Sequence, residues 1–381
     1  MILGNSIEWL REVDKRWHRA HHAEQRRILV DAKTAMNYAT VAPIVKRLQR
    51  DPRLELFFTA SESPGDVAKI YSETSEPRHL IRPKVAALKR FDAYLTADFL
   101  WAKLPRGTLR VQTFHGVAGK YRKVYDSPSQ SMRAWDRLFF INKLRLQSFI
   151  EIGAIDPDSP AARLIGMPRI DCLVDGSLTR DEVLLGLGID PSQKTVLYAP
   201  TWSRYSSLPV MGEEIVRRLG AAGYAVIVKL HDRSREVHDF NSGGVDWGQR
   251  LEPLLKSLGG ILAGGSNSSP YLVAADVLIT DHSSVGFEYL LLDRPVVRIH
   301  LPELIEKTDI EPRYVELISR ASDRVTKVEE VAGVVERSFM DPKRHSAVRN
   351  DVAGEMFYKP GGATGRALSE IYDLIELNPP G

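Results

Sequence analysis

The chain has 381 residues, 43% hydrophobic and 27% charged, and Lys+Arg 52 against Asp+Glu 49 leaves a formal net charge of +3. That is the composition of a soluble globular protein long enough for two domains, and it gives no field suited to a polyanion, so no nucleic-acid partner is expected. Cys172 is the single cysteine, which excludes an internal disulfide and a cysteine metal cluster. No apolar run nears the ~18 residues of a membrane span, so a cytoplasmic chain is expected.

Residues 6–27 read as a basic helix with Ile7, Leu10, Val13 and Trp17 on one side. A membrane-surface helix fits that pattern. A helix packed on its own domain, with its basic face solvated, fits the narrow apolar stripe better. His18, His21 and His22 have no carboxylate or cysteine at metal-ligand spacing, and no metal is assigned. A strand at 27–33, a helix at 38–50 and a strand at 54–58 make a β-α-β unit, and so a parallel sheet covered by helices. The loop at 33–37 lacks a GxGxxG. Further strands are expected at 91–96 and 109–113.

The last of these runs into Thr113-Phe114-His115-Gly116-Val117-Ala118-Gly119-Lys120. Parallel sheets place their ligands at the carboxyl ends of strands. There His115 can accept a proton near neutral pH, Gly116 and Gly119 allow close backbone approach, and Lys120 can meet an anion. A histidine that merely ties a loop is the plain alternative. Residues 138–141 read as a strand followed by a helix. Ile165-Gly166-Met167-Pro168-Arg169-Ile170-Asp171 then makes a rigid turn. Arg169 is either a phosphate or carboxylate contact or the partner of Asp171.

After a polar segment at 173–193, Lys194 to Tyr198 is a strand that ends in Ala199-Pro200-Thr201-Trp202-Ser203-Arg204. Another strand, at 225–231, ends in Lys229-Leu230-His231. A short apolar run, Val277 to Thr280, hands over through Asp281-His282-Ser283-Ser284 to a helix carrying Phe287, Glu288 and Tyr289. Free N–H groups at a helix start, with two hydroxyls beside them, suit a phosphate. Simple capping by Asp281 or Ser283 is about equally consistent with the local sequence. The remainder is a charged helical region, and the last helix, 366–377, can pack back on the first domain.

Taken in order, these motifs resemble those of the CDP-glycerol glycerophosphotransferases, which build teichoic acids and related phosphate-linked polymers. The match lies in His115-Gly116, Gly166-x-Pro168-Arg169-x-Asp171, Ala199-Pro200-Thr201-Trp202, Lys229-Leu230-His231, and Asp281-x-Ser283-Ser284 followed by Leu292-Asp293-Arg294-Pro295. His282 stands where the family has Tyr, Glu288 where it has Asp, and Val117 where it has a small polar residue.

The resemblance implies an α/β fold of two Rossmann-like domains facing a cleft, a GT-B-like glycosyltransferase fold. Residues 1–175 would form the acceptor domain and 176–381 the donor domain. It implies transfer of a phospho-alditol, glycerol phosphate foremost, from a CDP-alditol donor to a lipid-linked or glycan acceptor, with release of CMP. His115 is then the base, with Gly116, Lys120 and Arg169 near acceptor or phosphate. His231 serves the leaving phosphate. Thr201, Arg204, Lys229, Asp281, Ser283, Ser284 and Glu288 bind the donor, with no cofactor and no metal. Peripheral association with the inner face of the membrane is a further expectation. The rivals are a UDP-sugar glycosyltransferase or 2-epimerase, favoured by the helix Ala42-Pro43-Ile44-Val45-Lys46-Arg47-Leu48, and a non-catalytic nucleotide-binding subunit.

Overall fold

The computed structural model describes residues 2–21, 25–72, 79–117 and 133–380; Lys120 and Gly119 lie outside them. The chain divides into two compact units. One comprises Met1–His115, Ser127–Asp171 and Tyr358–Gly381, and the other is built on Cys172–Phe357.

The first unit is a six-stranded sheet of β1 (Arg26–Asp31), β2 (Leu54–Thr59), β3 (Ala93–Ala97), β4 (Leu109–Thr113), β5 (Arg137–Phe140) and β6 (Ala162–Leu164). Its order is β2-β1-β3-β4-β5-β6, and every pairing is parallel. A sheet of this kind buries both faces, which is why Ile28, Leu29 and Val30 run apolar without alternation and are all fully buried. The helix Ala35–Leu48 starts at Thr34, whose side chain accepts from the Asn37 N–H. It lays Tyr38, Val41, Ile44, Val45 and Leu48, at helical spacing, onto the face carrying Ile28 and Val30. The final helix, Ala363–Leu374, adds Ala367, Ile371 and Tyr372 to the same core, and the Tyr372 hydroxyl donates to Asp51 at 2.9 Å. Gly166 is required where the chain returns to this helix. Its φ is +90°, and a Cβ there would lie 2.5 Å from the Tyr358 carbonyl oxygen.

The second unit repeats the plan with β7 (Thr195–Tyr198), β8 (Ala225–Val228), β9 (Ile261–Leu262), β10 (Val277–Thr280), β11 (Val296–Ile299) and β12 (Asp323–Val325). The order is β12-β11-β10-β7-β8-β9, again all parallel. Val196, Tyr198, Val226, Val228, Val277, Ile279, Val297 and Ile299 fill its core.

The helix Ile2–His21 packs the opposite way from the expectation. Its polar side faces the protein. Arg11 donates to the Ala87 carbonyl from Nε at 3.1 Å and Nη2 at 3.0 Å, Asp14 pairs with Arg27 at 2.9 Å and accepts the Arg90 N–H at 3.1 Å, and His18 is buried. Trp9, Leu10, Val13 and Trp17 are left 65%, 44%, 43% and 54% exposed. The reason is local. Arg27 and the 87–90 segment present a charge and backbone polar groups that only the polar side of the helix can satisfy.

Candidate active site

In a sheet whose strand order reverses, ligands sit beyond the carboxyl ends of the strands at the switch point. In the first unit that point lies between β1 and β3. The chain leaves β3 at Asp98 and Phe99, both with φ of 60°, a left-handed conformation that costs two non-glycine residues about 1–3 kcal/mol each. Packing and hydrogen bonds hold them there. The Asp98 N–H donates to the Thr113 carbonyl at 3.0 Å and the Phe99 N–H to Gln112 Oε1 at 2.8 Å. The Phe99 ring packs against Phe114, Trp135 and Phe149.

The strained turn aims the Asp98 carboxylate across the sheet. Oδ1 accepts the His115 backbone N–H at 3.2 Å, and Oδ2 meets the His115 Nδ1 and accepts from Asn37 Nδ2 at 2.6 Å. Burial alone pushes the Asp98 carboxyl up. The hydrogen bonds and charge of His115, with the charge of Arg145, overcome it and hold the group below the usual carboxylate range. An ionised carboxylate only accepts, so Nδ1 of His115 carries the proton and Nε2 of the neutral ring keeps its lone pair. The side chain is half exposed. That is the arrangement of a base held in one tautomer by a carboxylate. Asp98 and Asn37 were not among the residues singled out from the sequence. The signal for Asp98 was an acidic residue directly after a buried strand, one strand away from the histidine. A Cβ on Gly116 would meet nothing within 4 Å, so close packing does not demand glycine there.

Arg169 is buried in the 3-10 turn Pro168–Leu173. Asp171 accepts the N–H groups of Ala363 at 3.0 Å and Thr364 at 2.7 Å, capping the last helix from a distance, so its carboxylate serves the fold.

In the second unit the order reverses between β7 and β10, the strands that lead to Thr201 and to Asp281. Asp281 is fully buried and joins the two loops. It accepts from the Thr201 N–H at 2.8 Å, the Ser207 N–H at 3.1 Å, the Ser207 hydroxyl at 3.0 Å and the His282 N–H at 2.7 Å. Ser283 and Ser284 follow, half-buried, ahead of the helix Val285–Leu290. That helix has six residues and no side-chain cap bond, so its dipole is small and the hydroxyls carry more of any anion contact than expected.

Glu288 lies within the helix Val285–Leu290. With the helix starting at Val285 its side chain turns into the interior and is fully buried. Lys229 is likewise buried, and its Nζ donates to the carbonyls of Gly265 at 2.7 Å and Leu230 at 3.1 Å, so it holds the 264–265 loop. Arg204 makes a surface pair with Asp239.

His231 is reached three residues after β8. Its Nδ1 accepts the Arg233 N–H at 3.1 Å, which leaves the proton of the neutral ring on Nε2. The ring lies 6.0 Å from that of Trp202, and the Arg233 guanidinium sits 4.3 Å over the same indole. The two histidines are thus held in opposite tautomers, His115 as an acceptor at Nε2 and His231 as a donor.

The profile of the family described as CDP-Glycerol:Poly(glycerophosphate) glycerophosphotransferase matches residues 94–376. The teichoic acid poly(glycerol phosphate) polymerase of Bacillus spizizenii is 25% identical over 233 residues, 54% of this chain and 54% of that protein. The teichoic acid glycerol-phosphate primase of Bacillus subtilis is 32% identical over 111 residues, 28% of this chain and 25% of that protein. The chain therefore spans about half the length, or less, of the curated relatives it matches. Among solved structures, the wall teichoic acid polymerase TagF soaked with CDPG has a TM-score of 0.68 at 17% identity, covering 92% of this chain and 89% of that one, a likeness of fold that makes the architecture GT-B-like. By the span of the profile match, this chain belongs to the CDP-glycerol:poly(glycerophosphate) glycerophosphotransferase family.

Proposed function

We propose that the chain transfers a phospho-alditol, glycerol phosphate foremost, from a CDP-activated donor to a hydroxyl of a growing lipid-linked or glycan acceptor, in synthesis of a phosphate-linked surface polymer. The acceptor oxygen bonds to the phosphorus that bears the alditol, the bridging P–O bond breaks, and CMP leaves. His115 Nε2 takes the hydroxyl proton while Asp98 stabilises the imidazolium. His231 donates from Nε2 to the leaving phosphate, and Ser283, Ser284 and the Thr201 loop hold the diphosphate. The observation that carries this reading is the Asp98–His115 pair, a base oriented by a carboxylate at a strand end.

Chromatography of released nucleotide tests it, with CDP-glycerol, CDP-ribitol and UDP-sugars supplied with and without acceptor. CMP is expected only when a CDP-alditol and an acceptor are both present. Release of UDP would instead place the chain among sugar-nucleotide enzymes, and tight nucleotide binding without turnover would make it a binding subunit.

The reading includes docking on an anionic lipid surface through the helix Ile2–His21. No helix among the described residues is long and apolar enough to cross a membrane. Trp9 and Trp17 stand at positions i and i+8 of one exposed stripe with Val13 between them, so two amphipathic rings are spaced about 12 Å along the axis, as interfacial anchors are. The segment fastened beneath this helix, residues 82–90, carries Arg82, Lys84, Lys89 and Arg90 with no acidic residue, and Val85 and Leu88 in it are exposed. Lys89 pairs with Asp14 at 3.8 Å, while Arg82 and Lys84 are exposed, and apolar anchors beside these exposed cations fit phosphatidylglycerol better than a second protein surface. In flotation with phosphatidylcholine vesicles with and without phosphatidylglycerol, binding is expected only to the anionic ones. The pair Trp9→Ala and Trp17→Ala should weaken it about tenfold or more, since interfacial tryptophans bury much apolar area. Equal binding by the double variant would sink the docking idea. So would a wild-type dimer that the double variant breaks.

A further inference from the structure

Strands β10, β11 and β12 pair in parallel with Thr280 opposite Arg298 and Arg298 opposite Arg324. Residues in register share a face, so two arginines stand one strand spacing apart, about 4.8 Å, near the carboxyl end of the sheet. Val297 and Ile299 point into the core, which sends Arg298 to the other face. Although it is only 4% exposed, its Nε has no hydrogen-bond partner among the described residues. Its Nη1 lies 3.2 Å from Nδ1 of His300, and the charge it feels most is that of Arg324, another cation. Burial, aided by Arg324, pulls the Arg298 guanidinium down to about 10. Burial and the same two arginines push His300 below its ordinary value, so its ring is neutral and Nε2 is its donor.

The same unit shows what a structural buried arginine looks like. Arg349, 1% exposed, donates Nε to Asp293 Oδ1 at 2.9 Å and Nη2 to the carbonyls of Asp293 at 3.0 Å and Pro342 at 2.7 Å. Arg294 likewise reaches the carbonyls of Val273 and Ala275, each at 2.6 Å. Arg298 has neither carboxylate nor carbonyl against it in the described structure. A guanidinium buried this way is costly, and its planar fork matches an oxyanion.

We propose that Arg298, with His300 and Arg324, forms an anion subsite at the carboxyl end of β11 that takes a phosphate group. The choice of phosphate among oxyanions rests on the transferase reading above; the existence of an anion site does not. The phosphate can come from the nucleotide donor or from a phosphate outside it, free or in the acceptor polymer.

The test is thermal unfolding of the full chain in inorganic phosphate, pyrophosphate, CDP and cytidine, against chloride at matched ionic strength, for wild type and Arg298→Met. Phosphate also stabilises proteins by exclusion from their surfaces, so the readout is the difference between the two proteins. The variant should melt at a higher temperature than wild type in chloride, because an unpaired buried charge has been replaced by an apolar chain of similar reach. It should also lose the specific response to phosphate and pyrophosphate. If CDP binding weakens about 10–100-fold while cytidine binding is unchanged, the anion belongs to the donor. Unchanged CDP binding with a lost phosphate response assigns it to a phosphate outside the donor. Arg298→Lys, which keeps the charge and loses the fork, should show a reduced response, and it stands in if the methionine variant does not fold. An equal response to phosphate and pyrophosphate in wild type and variant overturns the proposal, whatever the turnover with CDP-glycerol.

Discussion

His115→Ala is expected to lower acceptor-dependent CMP release by about 10²–10⁴-fold, the range for removing a positioned general base, while leaving donor affinity unchanged and the chain folded. The side chain is half exposed and no core packing depends on it, so the loss should appear in kcat alone. Asp98→Asn separates the base from the group that orients it. Asparagine tolerates the left-handed backbone at φ 60°, and the backbone bond from residue 98 to Thr113 survives, so the variant should fold. Its amide no longer fixes the proton on Nδ1, and the rate should fall about 10²–10⁴-fold without a change in KM. The ionisation of Asp98 gives this pair a defined pH window. Its pKa is lowered by folding, so the stabilisation it contributes is complete above the ordinary carboxylate range and is lost as pH falls through the depressed value. Full turnover by His115→Ala would remove the base assignment, and with it the meaning given to Asp98.

The sequence carried the central strands well because burial on both faces writes an uninterrupted apolar run. Residues 109–113 and 277–280 form β4 and β10 with the bounds expected. The edge strands β6, β9 and β12 have three, two and three residues, too few for any period to show. The expected strand at 225–231 stops at Val228, and Lys229 turns to the loop carbonyls. The motifs drew attention to His115 and Asp281, but the partners that set their chemistry lie 17 and 80 residues away. Spacing along a chain does not encode pairing across a sheet, so no motif marks Asp98. The first helix shows the opposite hazard. Its apolar stripe was visible, and the reading that apolar residues face inward failed because Arg27 and the Ala87 carbonyl needed polar partners.

Asp281→Ala should destabilise the second unit by about 3 kcal/mol or more, since three backbone N–H groups and one hydroxyl then lose their acceptor inside a site from which water is excluded. The cost is larger than for a surface cap because the carboxylate is fully buried and spans the loops after β7 and β10. Donor binding should fall with it, as the Thr201 and Ser283 loops lose their shared anchor. A paired control isolates the cause. Ser283→Ala with Ser284→Ala removes two half-buried hydroxyls that do not support the fold through Asp281, so CDP affinity should drop about tenfold while urea unfolding stays within about 0.5 kcal/mol of wild type. The two variants thus distinguish a residue that builds the site from residues that touch the ligand. If Asp281→Ala unfolds at the wild-type urea concentration, the four hydrogen bonds do not hold the loops, and the site must be organised from the strands alone.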